Sequence, residues 1–151
     1  MKFTVLGLPQ PQGSARAFIP KGWTRAIITS ANPKNKSWRQ EVSGAALRAM
    51  KGAQPVGPKV PVRLMVAFYF ARPKSVKALA EKTTAPDLDK LIRSTGDALS
   101  GICYHDDSQI TELFATKAYG NPPRVEVTVT EVLPASKAYV RESVKDELLP
   151  F

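Results

Sequence analysis

The segment that most constrains the fold is residues 62–71, VRLMVAFYFA. Its second half is apolar at consecutive positions, so a strand formed there would bury both of its faces. We therefore predict that this strand is central in a sheet. Cys103 is the only cysteine, which excludes an internal disulfide and is consistent with a reducing compartment.

Two helices are predicted beside this strand. The first covers residues 32–50. The second begins at Leu88, because Pro86 disfavours helical backbone before it and Asp87 is a suitable N-cap. Its apolar stripe has i, i+3, i+4, i+7 and i+11 spacing, at Leu88, Leu91, Ile92, Thr95 and Leu99.

Further strands are predicted at residues 2–8, in a hairpin across 17–30, and at 102–104, 109–119 and 124–133. The expected fold class is a mixed α/β (α+β) domain, a small sheet of four to six strands packed by two helices. A chain of 151 residues with 43% hydrophobic residues holds enough material for one core. We assign that domain to residues 1–133, followed by a charged C-terminal tail at 134–151.

Charge is divided unevenly along the chain. The residues before Pro86 contain 15 Lys and Arg and two acids, a balance of +13, whereas the remainder has seven bases and eleven acids, a balance of −4. Five of the six aspartates fall within residues 86–110. A basic surface suits a polyanion, and a small acidic site suits cations bound against it. This distribution is typical of a metal-dependent nuclease.

Each aspartate also has a structural interpretation. Asp87 can cap the helix, Asp89 can favour its positive end, and Asp106 with Asp107 can form a turn. One cap and one turn need only two acids, so the whole set exceeds the structural requirement. Carboxylate oxygens are the ligands that Mg²⁺ prefers, and a single histidine, His105, excludes a histidine cage.

The sequences DLDKLIRSTGDAL and GICYHDDSQI resemble the core motif of the RusA family of Holliday junction resolvases, found in bacteria, phages and prophages. The N-terminal PQPQGS and the Trp38-Arg39 pair are also similar, and the resemblance spans about residues 3–132. It implies a RusA-like fold, a homodimer, and a magnesium-dependent endodeoxyribonuclease that cuts paired strands of branched DNA in recombination and repair. Mn²⁺ is expected to substitute for Mg²⁺.

By position, Asp87, Asp89 and Asp107 match the metal-binding and catalytic acids of the family. Arg93 stands where the family usually has a catalytic Lys, and Lys90 where it usually has Asn. The resemblance leaves open which of these two bases acts, because guanidinium and ammonium differ in shape and acidity. Supporting positions around the metal ligands are expected at Asp97, Asp106 and Lys90.

The predicted DNA-binding residues are basic and lie outside the acidic segment: Arg16, Lys21 and Arg25 on the hairpin, Lys74 in the loop 72–85, and Lys117 near a strand end. Basic residues interleaved with Trp23 suit phosphate contacts and base stacking. A solvated hairpin and an ordinary surface loop are the alternatives. With no membrane-length apolar run and no signal-peptide pattern, the protein is expected to be cytoplasmic.

Two other functions are compatible with these features. One is a non-catalytic, basic DNA-binding accessory protein whose acidic segment is structural. The other is a metal-dependent nuclease acting on flaps or RNA. Cleavage of labelled DNA with and without magnesium separates the accessory protein from a nuclease.

Overall fold

A computed structural model describes residues 1–30 and 32–132, so the predicted tail at 134–151 lies outside the described residues. The described elements, in chain order, are β1 (Lys2–Leu6), β2 (Ala15–Phe18), β3 (Ile27–Ser30), α1 (Asn35–Met50), β4 (Val62–Phe70), α2 (Leu88–Leu99), a 3-10 helix (Asp107–Gln109), β5 (Ile110–Tyr119) and β6 (Arg124–Glu131). None of the helices in these ranges is long and apolar enough to cross a membrane.

The main sheet has the strand order β1-β6-β4-β5. β4 pairs with β6 in antiparallel and with β5 in parallel orientation, and β1 pairs with β6 in antiparallel orientation. The predicted central position of the 62–71 strand is therefore confirmed. β2 and β3 form the predicted hairpin as a separate two-stranded antiparallel sheet.

The core lies between one face of the main sheet and the two helices. Alternate residues of β4 and β6 are buried. For β6 this matches the period-two pattern of its sequence. For β4 the expectation of two buried faces is wrong: one face is buried, whereas Met65 on the other face is 44% exposed. The helices cover this face with their apolar stripes, and the fully or nearly buried helix residues include Trp38, Val42, Ala46, Leu91 and Leu99. The structure confirms the predicted α+β class. The main sheet is mixed, has four strands and is packed by two helices.

Helix α1 begins at Asn35, three residues later than predicted. The side chain of Asn32 accounts for the delay: its Nδ2 donates to Pro11 O at 2.9 Å, and its Oδ1 accepts from Lys34 N at 3.2 Å. These contacts hold a turn before the helix, as Asn side chains often do. The same side chain thereby connects the helix start to the N-terminal segment.

The prediction of a strand at residues 102–104 is wrong. Gly101 has a φ of +76°, and the backbone amides of Ile102 and Cys103 both donate to Leu99 O, at 3.0 and 2.9 Å. The segment therefore turns back on the helix end instead of extending. Cys103 and Tyr104 are buried all the same. The Tyr104 hydroxyl donates to Gly96 O at 3.0 Å.

Cys103 is 1% exposed and packs in the core as a small buried residue. Burial raises the pKa of its thiol to about 11. The thiol is therefore protonated at neutral pH, and a thiolate nucleophile is not expected here.

Candidate active site

Asp87 occupies the N-cap position of α2 with extended backbone, at φ −67° and ψ 138°. Its side chain makes no capping hydrogen bond, so that part of the expectation is wrong. The carboxylate instead pairs with Lys90 Nζ at 2.8 Å, one helical turn later. The hydrogen bond and charge of Lys90, with a smaller contribution from Lys117, hold the pKa of Asp87 below its ordinary value. Asp87 is therefore an exposed, ionised carboxylate at the start of the helix.

Arg93, Asp97 and Asp107 line one cavity of about 260 Å³ between α2 and the start of β5. Asp89 lies one turn before Arg93 on the same helix face, because residues four apart are neighbours. Within the described ranges, the Arg93 guanidinium forms neither a hydrogen bond nor an ion pair with another side chain. The cavity thus brings Asp107 together with Arg93 and Asp97 of α2.

The adjacent aspartates at the start of the 3-10 helix have different surroundings. Asp106 is the N-cap: its Oδ1 accepts from Ser108 N at 2.9 Å, and its own amide donates to Gln109 Oε1 at 3.0 Å. The hydrogen bonds with Ser108 hold the pKa of Asp106 below its ordinary value. Asp106 therefore caps the 3-10 helix, and Asp107 is not required for that cap. Asp107 lines the cavity of about 260 Å³ instead.

Asp97 connects the two helices. Its carboxylate lies 3.4 Å from Arg39 Nη1 on α1. Asp97 and Arg39 also line the larger cavity, about 740 Å³, which extends along α1 to Gln12. Asp97 thus lies between the two cavities.

A buried polar chain that the sequence analysis missed ties the N-terminal PQPQGS segment to both helices. Ser94 donates from Oγ to Asn35 Oδ1 at 2.5 Å, and Asn35 donates from Nδ2 to Gln12 Oε1 at 2.6 Å. The backbone amide of Gln12 in turn donates to Lys90 O at 2.8 Å. The signal for Ser94 was its position three residues after Leu91, on the edge of the apolar stripe.

The predicted DNA-binding residues have varied surroundings. Lys21, Arg25 and Lys74 are exposed, whereas the side chain of Arg16, in β2, lies outside the described part of the structure. Lys117 donates from Nζ to backbone carbonyl oxygens of the loop before α2. Its described contacts are therefore with the protein chain.

Comparison with known proteins places this arrangement in a family. The model of the family described as Endodeoxyribonuclease RusA matches residues 9–130, a range that includes all five clustered aspartates. The chain belongs to the RusA endodeoxyribonuclease family. The resemblance drawn from the sequence motifs is thereby confirmed, and the protein is an enzyme of the nuclease class.

Two relatives of this RusA family protein are informative. The uncharacterized protein YqaN of Bacillus subtilis (strain 168) is 35% identical over 143 residues, covering 87% of this chain and 96% of the relative. The crossover junction endodeoxyribonuclease rusA of Lactococcus phage r1t is 38% identical over 74 residues, covering 48% of this chain and 56% of the phage protein.

RusA resolvases depend in general on divalent metal ions. The donor chemistry of this chain suits a hard cation, because Asp87, Asp89 and Asp107 supply exposed carboxylate oxygens. Across residues 1–30 and 32–132, however, no three Asp, Glu, His or Cys side chains are grouped closely enough to hold a metal ion. Mg²⁺ commonly takes one or two protein carboxylates and completes its shell with water and substrate phosphate. The carboxylates therefore fit such a shared site by chemical type, without forming an all-protein cage.

Proposed function

We propose that this RusA family protein is a Mg²⁺-dependent endodeoxyribonuclease that resolves Holliday junctions by paired strand cleavage in DNA recombination and repair. Mn²⁺ is expected to replace Mg²⁺. The main support is the cavity that brings Arg93 together with Asp107, since the two residues come from separate family motifs. The printed name of the phage relative, a crossover junction endodeoxyribonuclease, supports the substrate.

In this proposal Asp87, Asp89 and Asp107 hold the metal ion or ions. A bound divalent ion would lower the pKa of a water molecule and offset negative charge on the scissile phosphate. Arg93 would donate hydrogen bonds to the phosphate from its planar, charged fork. It acts as a charge stabiliser, since a guanidinium does not give up a proton at neutral pH.

Lys90 has a different role from Arg93 in this account. Its ammonium already lies 2.8 Å from the Asp87 carboxylate, on the surface of the molecule. Exposed ion pairs are weak and are readily exchanged. Lys90 is thus a partner that would leave Asp87 when the carboxylate holds a metal ion. Asp97 and Asp106 would support the site through Arg39 and Ser108.

The hairpin tip is the proposed contact with branched DNA. Trp23 is 61% exposed and lies between exposed Lys21 and Arg25 in the sequence. Lysine and arginine would contact phosphates, and an exposed indole would stack on an unpaired base near the branch point. Lys74 would extend the basic surface from the loop that precedes α2.

Paired cleavage of a four-way junction requires two sites facing two strands, so we propose a homodimer with two-fold symmetry. Light scattering should give a mass of twice 16.5 kDa. A monomer alone at micromolar concentration would contradict this assembly.

A cleavage panel tests the function. Labelled junction, flap, duplex, single-stranded DNA and RNA are each incubated with Mg²⁺, Mn²⁺ or a chelator. The expected result is paired nicks in the junction with either metal and none with the chelator. Preferred cutting of flaps or RNA would replace the proposed substrate, and absence of cleavage in every reaction would favour a non-catalytic DNA-binding protein.

A further inference from the structure

Lys82 lies against the backbone that leads into Asp87. Its Nζ donates to Ala85 O at 2.7 Å, to Thr84 Oγ1 at 3.1 Å and to Thr84 O at 3.3 Å. An ammonium group has three protons to donate, and these three acceptors use its full capacity. The lysine thereby anchors the end of the loop.

Lys117 approaches the same backbone from β5. Its Nζ donates to Thr84 O at 2.9 Å and to Pro86 O at 2.8 Å. With the contacts of Lys82 included, each backbone carbonyl oxygen of residues 84–86 accepts a hydrogen bond from a lysine ammonium group. The loop is held from two sides immediately before α2.

The setting of Lys82 is unusual for a loop anchor. The residue is 9% exposed, and its Nζ lies 4.9 Å from the ring centroid of Phe70 and 5.5 Å from that of Tyr119. Burial, and then the charge of Lys117, lower the pKa of Lys82. Among the described residues, neither lysine forms an ion pair with a carboxylate. Two adjacent like charges without a carboxylate partner are costly, so an ordinary loop does not require them.

The held segment fixes the backbone from which the Asp87 side chain projects. Asp87 follows the anchored carbonyl of Pro86 directly, and its own carbonyl accepts from Leu91 N at 3.2 Å as α2 begins. With the backbone fixed on both sides, the Cα–Cβ bond of Asp87 has one orientation. A looser loop would let the carboxylate move away from a bound ion.

We propose that Lys82 and Lys117 are positioning residues of the nuclease site, and that they orient the Asp87 carboxylate by holding the carbonyl groups of residues 84–86. This inference rests on the proposed function for its catalytic consequence. It assigns Lys117 to the loop and not to the DNA surface. Neither lysine touches the reacting phosphate in this role; both act through Asp87.

The test uses Lys82→Met and Lys117→Met in the full-length protein, since methionine keeps an unbranched apolar stem and removes the ammonium. Lys77→Met, in the same loop with an exposed side chain, is the matched control. Lys117→Arg is the conservative variant, because a guanidinium still donates to carbonyl groups. Circular dichroism first establishes that each variant folds.

Three readouts follow. Without metal or DNA, amide hydrogen exchange in residues 83–91 should accelerate by roughly 10-fold in both Met variants. Mn²⁺ alone, followed by electron paramagnetic resonance, should bind about 10-fold more weakly. Junction cleavage should lose about 30-fold in kcat with little change in KM, which is the pattern of lost transition-state stabilisation. Lys77→Met should match wild type throughout, and Lys117→Arg should recover most of each loss.

Two negative outcomes can be distinguished. Unchanged hydrogen exchange in residues 83–91 of both Met variants would overturn the positioning role. That conclusion holds whether or not the wild-type protein cleaves DNA. Faster exchange with wild-type Mn²⁺ affinity and kcat would overturn the link to Asp87. If exchange accelerates while wild type cleaves no DNA in any metal, the lysines hold the loop as inferred and the proposed nuclease function is the part that fails.

Discussion

At the scale of single residues, the ion pair with Lys90 lowers the pKa of Asp87. The pKa of Asp87 is lowered chiefly by the hydrogen bond and charge of Lys90. Lys90→Met should therefore raise that pKa toward the ordinary value, and Asp87 should take up its proton at a higher pH than in wild type. The favourable contribution of the ion pair is present above the ordinary pKa of aspartate and is lost as the pH falls through the lowered value.

Carbon-13 NMR titration of the Asp87 carboxyl in metal-free protein measures this shift. Lys36→Met, an exposed lysine on α1, is the control and should leave the titration unchanged. An Asp87 titration in Lys90→Met identical to that of wild type would show that the ion pair does not determine the pKa.

At the scale of elements, the Ser94–Asn35–Gln12 chain fixes α2 relative to α1 and the N-terminal segment. Ser94 is fully buried, and its hydroxyl is the hydrogen-bond donor to Asn35 Oδ1. Ser94→Ala leaves that oxygen without this donor, so the free energy of unfolding should fall by about 1–3 kcal/mol. Urea denaturation measures the loss, with Ser75→Ala in an exposed loop as the control. Equal stability of the two variants would mean that the chain does not hold the helices together.

The elements also show how far local sequence signals extend. Helix α2 was predictable because its cap position and its apolar stripe agree, and β4 was predictable because its sequence is a nearly continuous apolar run. The segment 102–104 has the composition of a strand, but Gly101 and the acceptor at Leu99 O turn it back on the helix. The contacts of Lys117 with Thr84 and Pro86 join residues 33 and 31 positions apart, and no local pattern encodes them.

The features of the candidate site also differ in how far the local sequence predicts them. The roles of its carboxylates stay a prediction from the family motifs, which are local in sequence. The separation of Asp106, which caps a turn, from Asp107, which lines a cavity, depends on which way each side chain faces after the backbone has folded. The role of Lys90 likewise depends on a partner one helical turn away.

At the scale of the whole molecule, the uneven charge predicts how DNA binding responds to salt. Phosphate neutralisation by the basic part of the chain should make junction affinity fall steeply as salt rises. Charge reversal at Lys21 and Arg25 should weaken junction binding and reduce the salt slope by about two, at about one per phosphate contact. Fluorescence anisotropy across a salt series measures both effects, and Lys51→Glu at the far end of α1 serves as the control. Affinity independent of salt would show that the basic surface is not the DNA surface.

Junction cleavage by Asp89→Asn and Asp107→Asn tests whether the acidic segment, residues 86–110, holds catalytic metal. The amide keeps the size of the side chain but is a much weaker ligand for a hard cation. Each variant should bind the junction without metal at least as well as wild type, since one negative charge facing the phosphates is removed. In Mg²⁺ each should cleave at least ~100-fold more slowly, a loss of about 2.7 kcal/mol of transition-state stabilisation. Near-normal cleavage by both variants would contradict a metal-binding role and would mean that the acidic segment is structural.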